Sequence, residues 1–403
     1  MKVPMSPRAR VASGAVALVN RLSRRLGRGD GMVVGGWVGL FLDPHLLSDL
    51  TRSREVVLVS GTNGKTTTAA LMRLAWGHGT GGNTTGANMP QGHVAALVSD
   101  RSPRMVLEVD EAYLGEIVHS TRPRAILLLN LSRDQLDRAA EVRNLALRWR
   151  EALEGCSGVV ANANDPLVVF AAETATQVRW VRIPTPWRKD AASCPHCTRP
   201  LRFGSEGEWW CDCGFRRPED WCGHLRDGVV WLGERSVPLH LSIPGAVNEG
   251  NALIVLSTLD LLGGDALAGG ARLAELRSVG GRYQVFTWRG RRIRLILAKN
   301  PAGYGEALAS VDSRERLWIA INARIADGRD PSWLYDIDIS SLTGREVMCL
   351  GERRLDLATR LVYGNVTAEV LDDPDSLGVS SEEICLVANY TAFREWRARL
   401  EAS

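Results

Sequence analysis

Glu55-Val56-Val57-Leu58-Val59-Ser60, followed by Gly61-Thr62-Asn63-Gly64-Lys65-Thr66-Thr67-Thr68, is the stretch that decides the fold. Its core, Val56-Val57-Leu58-Val59, is apolar and mostly β-branched, which predicts a buried strand. Glycines permit a tight turn behind it, and TTTAALMRLAWG predicts a helix. Strand, glycine loop and helix in that order turn backbone N–H groups and the positive end of a helix toward one spot, an anion site. From that position Lys65 can reach the outer phosphates of a nucleotide, and the Thr66 hydroxyl can hold Mg²⁺. The general phosphate-loop pattern asks for a glycine five residues before Gly64, where this chain has Val59, so the loop is a variant.

Further apolar runs lie downstream at 104–109, 124–129 and 158–161, each followed by a polar turn and a helical stretch. Buried strands alternating with helices predict a parallel α/β sheet. Residues 190–225 break this rhythm with Cys, Pro, Trp and Gly, and read as an inserted module. A helix follows at 248–262, and a third region opens near Gly290 with the strand ILAKN. The organisation expected is a lead-in over 1–50, a nucleotide-binding domain over 51–289 carrying the 190–225 insertion, and a C-terminal α/β domain over 290–403. In the lead-in, the N-terminus predicts an amphipathic helix with arginines on one face. Met32–Leu42 predicts a strand pair broken at Gly35 and Gly36, and Asp43-Pro44 starts a short helix that ends at Leu50.

A net charge of +3 over 403 residues is too small for a nucleic-acid binder. No secretory signal stands out, and 32–42 is too short to span a bilayer. A cytoplasmic location is expected, with the N-terminal helix either solvated or in peripheral contact with the inner face of the membrane. Only four of the 49 basic residues are lysine, and two of those, Lys65 and Lys299, fall inside motifs. Where arginine serves as the ordinary cation, a retained lysine points to a need for a compact ammonium.

Five of the eight cysteines lie between Cys194 and Cys222. In a cytoplasmic chain such a cluster suggests metal before disulfides. Cys194-Pro195-His196-Cys197 is a C-x-x-C knuckle, and Cys211-Asp212-Cys213 follows after thirteen residues. Two cysteine pairs predict a structural zinc ribbon held by Cys194, Cys197, Cys211 and Cys213. The second pair is C-x-C, so Cys222 and His196 are alternatives for the fourth ligand, and a reduced cysteine cluster is the metal-free alternative.

The GTNGKTT run, residues 61–67, resembles the signature of the Mur ligase superfamily, ATP-dependent enzymes that phosphorylate a carboxylate and let an amine attack the acyl phosphate. The resemblance implies an ATP site at Thr62, Asn63, Gly64, Lys65, Thr66 and Thr67, and a magnesium carboxylate at Glu108 in Val106-Leu107-Glu108-Val109-Asp110-Glu111. Asn248 and Asn251 resemble the family's asparagines near adenine, with helix capping as the structural alternative, and Arg282 resembles its ATP-contacting arginine. Asn130-Leu131-Ser132-Arg133-Asp134-Gln135-Leu136-Asp137-Arg138 is similar to the family's N-x-x-x-D-H-L-D element, with Gln135 for His. The ligases' D-x-A-H-N-P run reads Ile296-Leu297-Ala298-Lys299-Asn300-Pro301 here, losing both Asp and His.

That departure, the ribbon, and the strings LAKNPAGYGEAL and ADGRDPSWLYDIDI resemble the MurT family of Mur-ligase-like proteins. This resemblance implies a synthetase subunit that uses ATP and Mg²⁺, carries a structural Zn²⁺, and works with a separate GatD-like glutaminase. Its substrate is then lipid II, amidated at the α-carboxyl of D-glutamate to give D-isoglutamine. It further implies an aspartate lent to the partner's Cys–His pair. Asp336 is the expected one, with Asp327, Asp330 and Asp338 close by and turn caps or a solvated strand face as the alternative. Lys299 is the expected group for steadying developing charge. Two other readings compete: an autonomous Mur- or folate-type amino-acid ligase, and a nucleotide-binding scaffold without chemistry of its own.

Overall fold

The computed structural model describes residues 5–25, 32–83, 86–133, 139–205, 207–276, 282–312 and 314–402. Asp134, Gln135, Leu136, Asp137, Arg138 and Gly281, quoted above within motifs, lie outside the described residues. The chain divides into two compact units. The first comprises 1–131, 140–241 and 247–276, and the second 132–139, 242–246 and 277–403.

The first unit begins with helices α1 (Pro7–Arg25), α2 (Met32–Leu42) and α3 (Leu46–Thr51). There follow β1 (Glu55–Ser60), α4 (Lys65–Trp76), β2 (Thr80–Gly82), α5 (Pro90–Ser99), β3 (Arg104–Val109), α6 (Leu114–Thr121) and β4 (Ala125–Leu128). Then come α7 (Ala139–Leu153), β5 (Val159–Asn162), α8 (Pro166–Ala172) and β6 (Val178–Val181). The hairpin β7 (Arg202–Phe203) and β8 (Trp209–Trp210) precedes β9 (Trp221–Arg226), β10 (Val229–Leu232) and β11 (Arg235–Pro238), and α9 (Ala246–Leu261) and α10 (Ala266–Leu273) close the unit. Among the described residues the main sheet has nine strands in the order β11-β10-β9-β6-β5-β4-β1-β3-β2. β1 to β6 pair in parallel, as the apolar runs predict; β9 continues the sheet in parallel beside β6, and β10 and β11 follow it as antiparallel neighbours.

β1 lies between β3 and β4, so the strand order reverses there. In open α/β sheets that reversal opens a crevice at the carboxyl ends of the strands. The register of β1 on β3 pairs Val59 with Glu108 and Ser60 with Val109, which brings the Glu108 carboxylate beside the entry to the phosphate loop.

Met32–Leu42 is a helix, not the strand pair expected from its glycines. Gly35, Gly36 and Gly39 fall on one helical face, and packing explains each of them. A Cβ on Gly36 would stand 1.8 Å from the Gln91 carbonyl oxygen of α5, one on Gly35 would meet the Asn20 side chain, and one on Gly39 the side chains of Val16 and Leu46. The glycines let three helices approach closely. An apolar run with embedded glycine reads alike for strand and buried helix, and here tertiary contact decides.

The insertion is also shorter than 190–225. β9 starts at Trp221 and pairs with β6, so 221–225 belong to the main sheet. The second unit contains β12 (Tyr283–Trp288), β13 (Arg291–Leu297), α11 (Pro301–Ala309), β14 (Arg316–Ala320), β15 (Glu346–Leu350), α12 (Arg354–Tyr363), β16 (Thr367–Val370), β17 (Glu383–Ala388) and α13 (Tyr390–Glu401). Its strand order is β12-β13-β17-β14-β15-β16. β12 pairs antiparallel with β13, so 283–288 lie in the sheet of this unit.

Candidate functional site

The loop between β1 and α4 is shaped by two glycines in conformations that side chains resist, Gly61 at φ +146° and Gly64 at φ +84°. Gly61 also passes close to β4, where a Cβ would lie 2.8 Å from Leu129 Cβ. Gly64 precedes the first residue of α4 and offers no side chain to fill the helix end. The loop is held from the next strand. The Thr62 N–H donates to the Asn130 carbonyl (2.9 Å) and the Asn63 N–H to Asn130 Oδ1 (2.9 Å), while Asn130 Nδ2 donates back to the Asn63 carbonyl (3.1 Å). Nothing local in the sequence reveals that Asn130 clamps a loop 67 residues away.

Lys65 is 8% exposed, and its ammonium donates to the Gly61 carbonyl (2.6 Å) and to Glu111 Oε2 (2.9 Å). Thr66 Oγ1 donates to Glu108 Oε2 at 2.8 Å. The two acids of the β3 terminus therefore have separate partners, Glu108 with the loop threonine and Glu111 with the loop lysine. Glu108 is itself fixed through its backbone. Its N–H donates to Asn83 Oδ1, and its carbonyl accepts from Asn83 Nδ2 and from His93 Nε2, each at 2.8 Å. Burial pushes the His93 imidazole down to about 4, so at neutral pH the ring is neutral and Nε2 carries the proton that the carbonyl accepts. Asn83 and His93, like Asn130, lie outside the residues the sequence singled out.

A threonine hydroxyl and a carboxylate in contact beside a phosphate loop are hard oxygen ligands, a donor set that suits Mg²⁺. Thr67, 8% exposed, follows on the first turn of α4. On α9, Asn248 is half-buried in the first turn and Asn251 is buried one turn later. The Asn251 amide lies 3.2 Å from where a Cβ on Gly64 would stand, which brings Asn251 to the phosphate loop.

The second ligand cluster is sulfur. Cys194, Cys197, Cys211 and Cys213 have their Sγ atoms within 4.8 Å of one another. Cys194 and Cys213 lie 3.7 Å apart, and Cys197 and Cys211 3.4 Å. Four thiolates at about 2.3 Å from a tetrahedral zinc would stand about 3.8 Å apart, so the set fits Zn²⁺. The C-x-C pair reaches the cluster because Gly214 at φ +95° turns the chain, its N–H donating to the Cys211 carbonyl at 3.0 Å. Neither alternative fourth ligand joins it. Cys222 donates to the Trp180 carbonyl, and His196 Nε2 pairs with Glu173 at 2.8 Å. The knuckle rests on α8 through the edge contact of His196 with Phe170, and the Trp209 indole donates to the Ala163 carbonyl.

The remaining residues belong to the second unit. The Arg282 carbonyl accepts from the Leu297 N–H at the β12–β13 edge. Lys299 is exposed between β13 and α11, with its ammonium 5.7 Å from the Tyr390 ring centroid, and Asn300 caps α11 by accepting from the Gly303 N–H. Of the four aspartates, Asp327 is taken up by the Thr391 N–H and hydroxyl, and Asp330 and Asp338 cap short turns by accepting from Ser332 and Ser340 N–H. Asp336 ends a 3-10 turn (Pro331–Asp336), not a strand, and lies 3.8 Å from the Arg133 guanidinium.

Known proteins give the site its context. Residues 59–186 match the Mur ligase middle domain and residues 297–393 the MurT ligase C-terminal domain. The fold is similar to that of a pseudomurein peptide ligase type C from Methanothermus fervidus, with a TM-score of 0.67 at 18% identity over 88% of this chain and 81% of that one. Fold and loop together define a Mur-ligase-type protein. The chain is 26% identical to the lipid II isoglutaminyl synthase (glutamine-hydrolyzing) subunit MurT of Staphylococcus aureus strain COL, across 96% of both chains. It is 28% identical to the subunit of the same description from Streptococcus pneumoniae, across 93% of both. Over nearly its full length the chain is thus similar to MurT subunits.

Proposed function

We propose that this chain is the synthetase subunit of a glutamine-dependent amidotransferase acting in peptidoglycan synthesis. Its substrate is lipid II, and the group it amidates is the α-carboxyl of D-glutamate in the stem peptide, giving D-isoglutamine. The observation that carries the reading is the contact of Thr66 with Glu108 beside Lys65, in a chain that aligns with the MurT subunits over nearly its full length.

In this reading Lys65 exchanges Glu111 for the outer phosphates of ATP, and the loop amides from Asn63 to Thr67 orient them, with Asn248, Asn251 and Arg282 on the nucleotide. Thr66 and Glu108 would hold Mg²⁺, which offsets phosphate charge as the γ-phosphoryl group transfers. A carboxylate oxygen of the substrate attacks the γ-phosphorus and ADP leaves. Ammonia then attacks the acyl carbon, phosphate leaves with the C–O electrons, and the nitrogen loses a proton. Lys299 steadies the charge developed in that second step.

Ammonia is scarce at neutral pH, so a GatD-like glutaminase supplies it in trans. Asp336 orients the histidine of the partner's Cys–His pair, as its place in the Trp333-Leu334-Tyr335-Asp336 string implies. The four-cysteine cluster holds a structural zinc. α1 brings the chain to the inner face of the membrane, where a lipid-linked substrate lies.

The test is release of ADP and phosphate. Turnover should require lipid II and an ammonia source together. Glu108→Gln should lower it by at least about a hundredfold, and Lys299→Met should lower kcat with little change in ATP affinity. Turnover supported by a free amino acid in place of ammonia would favour the autonomous ligase instead.

A further inference from the structure

The outer faces of α1 and α2 carry apolar side chains that nothing among the described residues covers. On α1, Val11, Leu18 and Leu22 recur at helical spacing and are 69%, 58% and 48% exposed. On α2, Val34, Trp37 and Phe41 do the same, with Trp37 59% and Phe41 87% exposed. The opposite faces are buried, through Ala9, Ala12 and Val16 on α1 and through Gly35, Gly36 and Gly39 on α2, where Gly36 lies over Gln91 of α5 and Gly35 and Gly39 meet Asn20 and Val16 of α1. Arg8 Nε donates to the Leu42 carbonyl at 2.7 Å, tying the start of α1 to the end of α2, so the two helices run antiparallel. Both apolar stripes therefore face away from the packed sides of these helices. Single exposed leucines are ordinary, but a tryptophan and a phenylalanine one turn apart on a helix with no charged residue are not.

The charges around the stripes identify the occupant. α1 carries Arg8, Arg10, Arg21, Arg24 and Arg25, all exposed, and no acidic residue. Arginines beside an apolar stripe, with an aromatic pair at its centre, are the composition of a helix that lies in the interface of an anionic bilayer. Neither helix crosses it. No helix among the described residues is long and apolar enough.

We propose that α2, with α1 beside it, is a membrane-docking surface: Trp37, Phe41 and Val34 enter the headgroup–acyl boundary together with Val11, Leu18 and Leu22, and the α1 arginines pair with anionic lipid headgroups. The inference rests on the ligase reading only for why the chain would meet a membrane. Docking itself is measured without turnover, so the two fail separately.

The experiment is flotation of the full chain with vesicles of phosphatidylcholine alone or mixed equally with phosphatidylglycerol, at low and high salt. Wild type should float with the mixed vesicles, less with neutral ones, and less again at high salt. Trp37→Ser with Phe41→Ser should reduce partition at least about tenfold. Because both side chains are exposed, the circular dichroism and melting of this variant should match wild type. Arg21→Gln, Arg24→Gln and Arg25→Gln together should remove the preference for anionic vesicles. Three results would overturn the proposal: no flotation of wild type, flotation unaffected by the Trp37/Phe41 pair, or a wild-type dimer that this pair dissolves, which would make the patch a contact with a second copy.

Discussion

Replacing Asn130 with alanine removes two of the three hydrogen bonds that hold the phosphate loop from β4. The bond from the Thr62 N–H to the Asn130 backbone carbonyl survives, while those between the Asn130 side chain and the Asn63 N–H and carbonyl are lost. Each such bond contributes about 1 kcal/mol net. The loop conformation that receives phosphates is therefore disfavoured by about 2 kcal/mol, which weakens nucleotide binding about 30-fold. Because the loop lies outside the sheet core, global stability should fall by much less than that. The assay is calorimetric titration with a non-hydrolysable ATP analogue, paired with urea unfolding. Nucleotide affinity within about twofold of wild type, whatever happens to stability, would refute the reasoning, because the backbone bond alone would then suffice.

Three further perturbations have defined outcomes. Gly36→Ala drives a Cβ into the Gln91 carbonyl and should cost about 2–3 kcal/mol in urea unfolding, whereas Gly14→Ala, with nothing within 4 Å, should be neutral or slightly stabilising. Cys211→Ser should remove zinc, measured by atomic emission on purified protein, and expose 192–217 to limited proteolysis while the nucleotide site still binds ATP; equal metal content in variant and wild type would contradict the four-cysteine site. Burial pushes the Asp165 carboxyl up to about 6, even though it accepts the N–H groups of Leu131, Leu167 and Val168. A raised folded value means that its contribution to stability is fully present below about pH 4 and lost as pH rises through about 6, a change of about 3 kcal/mol. Subtracting the unfolding profile of Asp165→Asn from that of wild type isolates this slope, and a flat difference between pH 4 and 7 would exclude it.

The parts of this structure written in short contiguous runs were legible. Strand, glycine turn and helix around Gly64 occupy one continuous stretch, so the place of Lys65 and Thr66 at the helix start can be read from it. The cysteine pairs likewise carry their spacing in the sequence, and a single glycine turn explains how the C-x-C pair reaches the cluster. What escaped was tertiary. Asn83 and His93 grip the Glu108 backbone from 25 and 15 residues away, and an asparagine or histidine has no local pattern that announces such a role. Glu108 and Glu111 stand three residues apart in one acidic run, and only the register of β3 on β1 sends one to Thr66 and the other to Lys65. In α2 the glycines that look like strand breaks are the contact face of a helix, because what selects them is the approach of α1 and α5.

The proposed function places the amidation chemistry on this chain and leaves the partner to supply only ammonia. The direct measurement is mass spectrometry of lipid II after incubation with this chain alone, ATP-Mg²⁺ and a high concentration of ammonium. The account predicts the mass decrease of a carboxyl-to-amide exchange, dependent on ATP and absent with Glu108→Gln. Unchanged lipid II, even with a glutaminase subunit and glutamine added, would contradict it.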